Sequence, residues 1–311
     1  MASNSPVRIT RDSGLRGRMY LTMLILAGVY TFFMLMLIAA GIPIVFVVGF
    51  AAVMVGIQYF ASDRMILRST GAKQVTREEA PELYEMVERL ARRADIPMPK
   101  LAVIDSAAPN AFATGRNPKN ALVAVTTSIW EKLTERELEA VLAHELSHVK
   151  NRDVTVITIA SFFLTVASFV MQMMFFRMMF GGLGGGRNNN GGAMMMMLVG
   201  TLVVQFVAQL LIMALSRYRE YGADHNGAEL TGDPGSLANA LEKISGAMSL
   251  LPAEDLRNMT AASALAIYPA LKGHSVQSLF STHPPIEDRI ARLRRMENEM
   301  RGLPADIRFE N

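Results

Sequence analysis

Two histidines and a glutamate stand where their chemistry can converge: His144-Glu145-Leu146-Ser147-His148 reads H-E-x-x-H. On a helix, residues four apart lie on one face, so both imidazoles can reach one cation. A glutamate beside the first histidine can reach a water on that cation without ligating it. Two fixed nitrogens, a general base and an open position for water are what a zinc hydrolase requires. The chain has only five histidines in 311 residues, which makes this spacing a poor candidate for chance. It has no cysteine, which excludes disulfides, thiol catalysis and thiolate-held metal. A metal site must therefore be built from histidine and carboxylate, which suits zinc in a hydrolytic role.

Two histidines leave such a site one protein ligand short. The stretch Ser216-Arg217-Tyr218-Arg219-Glu220-Tyr221-Gly222-Ala223-Asp224 offers two carboxylates one helical turn apart. Glu220 is the candidate third ligand. Asp224, on the same face, could accept a hydrogen bond from the outer ring nitrogen of a ligating histidine and fix its tautomer. Spacing alone equally allows the pair to form a solvated face with Arg217 or Arg219. His225 and His274 read as exposed and uninvolved.

The elements that must position these residues are partly membrane-borne. Hydrophobic residues make up 51% of the chain, mean hydropathy is +0.24 and only 19% of residues are charged, too apolar a balance for a purely soluble protein. The net charge of +3 is small, and the basic residues flank apolar runs instead of lining a groove, so no nucleic-acid partner is expected. After a polar tail, 1–18, come apolar runs at 19–40 and 44–60, broken by Gly41, Ile42 and Pro43. Two more follow at 154–180 and 193–215, joined by a Gly/Asn loop at 181–192. Each is read as a transmembrane helix, the second at the short end for a span. A cleaved leader is disfavoured, because the first run is too long and a second follows at once. Met194–Met197 reads as lipid-facing filler, since no other soft ligand stands nearby to make a copper site.

Arg8, Arg11, Arg16 and Arg18, then Arg64, Arg68 and Lys73, then Lys150 and Arg152, then Arg217 and Arg219, all flank the spans on one side. By the positive-inside rule, both termini and the two soluble segments, 61–153 and 216–311, face the cytoplasm. In the first segment Thr76-Arg77-Glu78-Glu79 reads as a capping box opening an amphipathic helix through Arg92. Strands are expected at Lys100–Asp105, at Asn110–Gly115, the latter exposed, and at Ala121–Thr126, followed by the H-E-x-x-H helix over Thr134–Lys150. Three short strands beside that helix suggest a small sheet with one edge over the site, where an extended peptide could pair. The second segment should be helical to its end, with helices through Glu229, around Leu237–Leu250 and over Pro285–Arg301.

The combination of His144-Glu145-Leu146-Ser147-His148, Arg217 with Glu220, Ala223 and Asp224, Asn110-Ala111-Phe112-Ala113-Thr114-Gly115, and Thr282-His283-Pro284-Pro285 resembles the HtpX family of membrane-bound zinc metalloproteases. The resemblance covers nearly the whole chain, including the four apolar runs. It implies an α+β membrane protein with four transmembrane helices and a mainly helical, zincin-like protease domain with a small β-sheet in the cytoplasm. It implies one zinc ion per chain held by His144, His148 and Glu220, with Glu145 as catalytic base. It also implies cleavage of membrane or misfolded proteins in envelope quality control, at a cell inner membrane. Asn110, Ala111, Phe112 and Ala113 would belong to the substrate-pairing edge. The related prenyl-protein proteases carry a histidine and an arginine after the third ligand at a spacing that matches His283 and Arg289, which suggests contacts to substrate or oxyanion. His283 could equally be a turn residue held by Pro284 and Pro285, and Arg289 simply part of the basic helix. Two other readings share the site: a processing peptidase for lipidated or prenylated chains, and a metal-binding scaffold without catalysis, which would have no need of Glu145.

Overall fold

The computed structural model describes residues 13–180, 191–251 and 284–303. Its elements in chain order are α1 (Ser13–Ala39), α2 (Ile44–Thr70), β1 (Lys73–Gln74), α3 (Pro81–Ala94), β2 (Lys100–Ile104), β3 (Ala111–Thr114), β4 (Leu122–Thr126), α4 (Thr127–Lys132), α5 (Glu135–Asn151), α6 (Asp153–Phe180), α7 (Gly191–Thr231), α8 (Pro234–Ser249) and α9 (Ile286–Met300). This is a mainly helical chain with one small mixed sheet. The chain divides into two compact units, one built from 14–60 and 156–215, the other chiefly from 61–155 and 216–311. Helices α6 and α7 each contribute residues to both.

The apolar unit is helical at each of the four apolar runs. Among the described residues, three helices are long and apolar enough to cross a bilayer: Ser13–Ala39, Asp153–Phe176 and Met194–Thr231. The apolar part of α2 is shorter, Ile44–Ile57, although the helix itself continues to Thr70. Residues 13–18, read as part of a polar tail, form the first turns of α1, and the chain reverses at Gly41, whose φ of 68° suits glycine. Phe33, Leu37, Val47, Ala51, Val166 and Val170 are buried together, with Phe50 stacked on Phe169 at 4.3 Å. Gln205 Nε2 donates to Ser168 Oγ at 3.1 Å, an interhelical hydrogen bond that accounts for one of the glutamines in the fourth run. Residues 181–190 lie outside the described residues.

The other unit is organised around α5. Thr134 caps this helix with a complete capping box: its hydroxyl accepts from the Glu137 N–H, and Glu137 Oε2 accepts from the Thr134 N–H at 2.8 Å. Leu138, Val141, Leu142 and Leu146 of α5 are buried against Leu83, Val87 and Leu90 of α3 and Leu237, Leu241 and Ile244 of α8. Full burial of such a side chain is worth about 1.5–3 kcal/mol, so these contacts anchor α5 firmly. The amphipathic helix expected from Thr76 begins later, at Pro81. Glu79 does accept from the Thr76 N–H at 2.7 Å, but residues 77–79 form a turn and the proline takes the first helical position.

The sheet has four strands in the order β1-β2-β4-β3, one more than expected, because β1 is only two residues long. β2 and β4 are parallel, and β1 and β3 pair antiparallel at the two edges. The exposure expected for β3 is not found. It is an edge strand, yet Ala111 and Phe112 are buried. Phe112 packs with Ala102, Leu122 and Ala124 on one face, while Ala111 belongs to the core that includes α5 on the other. Alanines at 111 and 113 leave room for α5 to approach that face closely. The fourth span and the following soluble helix, read as separate elements, are one continuous α7 of 41 residues.

Candidate metal centre

Helices α5 and α7 bring the candidate ligands together. His144 and His148, one turn apart on α5, face Glu220 on α7. The His144 and His148 Nε2 atoms are 3.2 Å apart, His144 Nε2 is 3.6 Å from Glu220 Oε2, and His148 Nε2 is 3.5 Å from Glu220 Oε1. Bonds of about 2.0–2.2 Å to a tetrahedral zinc place ligand atoms about 3.3–3.6 Å from one another. The three side chains therefore fit one metal ion of that kind. Among the described residues, they are the group of His, Asp and Glu able to hold one.

The close approach of the helices has a specific cause. Gly227 lies seven residues after Glu220, on the same face of α7. A Cβ there would meet the His144 backbone nitrogen at 2.9 Å and Cα at 3.0 Å. Glycine lets the two backbones approach, so that Glu220 and Asp224 reach α5. In the sequence, the signal for Gly227 is its place two turns from Glu220, on the face of the two carboxylates.

Both histidines are backed by a carboxylate, and each carboxylate by an arginine. Asp224 Oδ1 is 3.0 Å from His144 Nδ1, and Arg289 grips Asp224 with two hydrogen bonds, Nε to Oδ2 at 2.9 Å and Nη2 to Oδ1 at 2.7 Å. On the other side, Asp153 Oδ2 is 2.6 Å from His148 Nδ1 and Asp153 Oδ1 is 3.0 Å from Arg219 Nε. Arg289 is thus part of the cluster and not simply of the basic helix: it is 1% exposed, with Nη2 3.4 Å from His144 Nε2 and Nη1 3.5 Å from Glu220 Oε2. The sequence does not single out Asp153, which begins a membrane-type helix. It offers Arg219 as a flanking cation or as a partner of Glu220 and Asp224 on a solvated face, whereas Arg219 is buried against Asp153.

Charge in the cluster is balanced by these partners. Burial disfavours the charged form of His144, but the neighbouring Asp224 and Glu220 carboxylates outweigh it and push its pKa up to about 9. Burial dominates at His148 and pushes it down to about 4. Burial also opposes ionisation of Asp224, yet Arg289 and His144 hold it down at about 2. Burial brings Arg219 down to about 10, still charged at neutral pH.

Glu145 is buried beside the histidines and is hydrogen-bonded at the sheet edge, where the Ala113 N–H donates to Oε2 at 2.8 Å. Burial raises its pKa despite the opposing pull of His144 and His148. Asn110 is tied inward, its carbonyl accepting from the Thr126 N–H and its own N–H donating to Thr126 Oγ1, both at 2.9 Å. Antiparallel pairing alternates direction, so Phe112 and Thr114 also point their main-chain groups to β4, while Ala111 and Ala113 point theirs to the outer edge. His225 is part-buried, 3.6 Å from Glu229, and not exposed as expected. His274 and His283 lie outside the described residues.

Residues 77–297 match the family model described as Peptidase family M48. The chain belongs to peptidase family M48. It is 55% identical over 93% of its length to a Protease HtpX homolog of Moorella thermoacetica, covering 96% of that protein, and 52% identical over 93% of its length to Protease HtpX homolog 2 of Methanosarcina acetivorans, covering 98%. Within the family it sides with the HtpX proteases, and with its apolar helices it is a membrane-bound metalloprotease. Its fold is that of the crystal structure of S. mikatae Ste24p, with a TM-score of 0.56 at 17% identity over 88% of this chain. It spans 66% of the length of that chain.

Proposed function

We propose that the chain is a zinc-dependent endopeptidase that cleaves membrane or misfolded proteins at the cytoplasmic face of a cell membrane, in the service of envelope quality control. The observation that carries the reading is the trio of ligand atoms on His144, His148 and Glu220, 3.2–3.6 Å apart, with the buried Glu145 carboxylate beside them. A zinc ion held there supplies Lewis acidity, which acidifies water and polarises a peptide carbonyl.

The chain's own groups do the rest. Glu145, its pKa raised by burial, takes a proton from the attacking water and passes it to the leaving amine. Its bond to the Ala113 N–H holds the carboxylate at the end of the edge strand. The outward main-chain groups of Ala111 and the Ala113 carbonyl offer an extended substrate an edge to pair with, which brings the scissile bond beside Glu145. Asp224 keeps the His144 ring oriented, and Arg289 keeps Asp224 ionised and in place. The cytoplasmic orientation rests on the basic residues that flank the apolar helices, among them Arg64, Arg68, Lys150, Arg152 and Arg217.

Glu145→Gln in the purified full-length protein should retain one equivalent of zinc and lose cleavage of an unfolded membrane-protein substrate by at least about a hundredfold. Cleavage by that variant at the wild-type rate would show that Glu145 is not the base.

A further inference from the structure

Asp153 has no place in the family signature described above, and its surroundings are those of a working residue. Its side chain is 6% exposed, and both carboxylate oxygens are engaged, one with His148 Nδ1 at 2.6 Å and the other with Arg219 Nε at 3.0 Å. We propose that Asp153 and Arg219 are positioning residues for His148, a second orienting pair that sets its tautomer and ring direction for metal binding. The proposal rests on the reading of His144, His148 and Glu220 as the ligands.

The backbone is built to make this contact. If α5 simply continued, Asp153 would lie five residues beyond His148 and about 140° around the helix from it. Instead α5 stops at Asn151, and Arg152 adopts a left-handed conformation with φ 55° and ψ 42°. Such a conformation is unfavourable by roughly 1–2 kcal/mol for a residue with a side chain. The chain turns there, α6 starts at once, and its first residue is brought back onto the imidazole. Arg219 arrives from α7, one residue before Glu220, and is itself buried. A first-turn aspartate is also favoured by the helix dipole. That preference is satisfied at the surface and accounts for neither the burial nor the arginine.

The chemistry follows from which nitrogen carries the proton. A carboxylate at Nδ1 accepts the N–H there and leaves the Nε2 lone pair directed at Glu220 and His144. Without that acceptor, both tautomers are accessible and the ring is free to rotate. Loss of an outer partner of this kind weakens metal binding about 10–100-fold. Arg219, 3.0 Å from the other carboxylate oxygen, fixes the rotation of the Asp153 side chain.

The test uses the full-length protein purified in detergent, with zinc affinity measured by chelator competition and the visible spectrum of the cobalt(II)-loaded protein as a probe of ligand geometry. Asp153→Asn should weaken zinc binding about 10–100-fold and alter the cobalt spectrum, while the metal-free protein still unfolds in a single cooperative transition. Arg219→Gln should weaken binding less, in the same direction, and serves as the test if Asp153→Asn does not fold. Wild-type affinity with an unchanged cobalt spectrum in Asp153→Asn, or in Arg219→Gln where that variant is used, overturns the orienting pair and leaves the ligand assignment standing. Failure of the wild type to bind zinc, or full affinity in His148→Ala, overturns the ligand assignment and the orienting pair with it.

Discussion

The two histidines of the cluster are held by arms of the same chemistry and different construction. His144, 1% exposed, is backed by Asp224 from the C-terminal part of α7, and Asp224 is gripped by both ends of the Arg289 fork. His148, with a side chain 18% exposed, is backed by Asp153 at a helix junction, and Asp153 meets Arg219 through Nε. One arm is set inside a rigid helix face and clamped by a third element, α9. The other depends on a single left-handed residue and a neighbour of the third ligand. Redundant hydrogen bonds make the first arm the costlier to break, and backbone conformation makes the second the easier to adjust.

Removing the arginines should separate the arms most clearly. Arg289→Ala leaves the buried Asp224 beside Glu220 with His144 as its remaining partner, so the metal-free protein should lose about 3–5 kcal/mol of stability. Arg219→Ala should cost less, about 1–3 kcal/mol, because it removes one contact to Asp153. Equal losses in thermal unfolding would show that the arms are equivalent. Gly227→Ala comes next. It forces the α7 backbone away from His144 and should cost about 1–3 kcal/mol, with a loss of zinc affinity that Gly246→Ala, at a glycine with open space around it, does not share.

Arg152→Gly probes the second arm from the opposite direction. Glycine relieves the left-handed strain, and the metal-free protein should gain about 0.5–1 kcal/mol, visible as a higher melting temperature with zinc affinity unchanged. A fall in stability would mean that the Arg152 side chain, and not its backbone, holds the junction. The smallest effect is expected at Glu137, which accepts from Lys243 at 2.7 Å and from the Thr134 N–H. Burial raises its pKa, but these donors outweigh burial and hold it below the usual range. A depressed carboxylate contributes stability above its unfolded pKa and loses it as pH falls through the folded value. Wild-type stability should therefore decline below about pH 4.5 more steeply than that of Glu137→Gln. The pair is worth less than about 1 kcal/mol, because Lys243 is half exposed.

The same contrast explains how much was legible in the sequence. Local periodicity pointed to Glu220 and Asp224, because both sit on one uninterrupted helix with a spacing of four. The helix over Glu135–Asn151 was marked by its Thr134–Glu137 capping box and its apolar spacing, and β2, β3 and β4 by short β-branched or alanine-rich runs between turns. Asp153 was not legible, because its contact depends on the left-handed turn at Arg152, a conformation that an arginine codon does not announce. The burial of β3 escaped for a related reason: small alanines read as weak signals of exposure, whereas their size is what admits α5. The continuity of α7 from membrane-type residues into Glu220 was also missed, since a change of polarity at Ser216 is not a helix stop without a Gly or Pro.

The central claim is that His144, His148 and Glu220 together hold one zinc ion. Zinc content and X-ray absorption of the purified wild type, beside Glu220→Ala, test it most directly. The account predicts one zinc per chain in the wild type, with two imidazoles and a carboxylate at about 2.0–2.2 Å, and loss of most of that zinc in the variant. Unchanged zinc occupancy and an unchanged coordination shell in Glu220→Ala would contradict it.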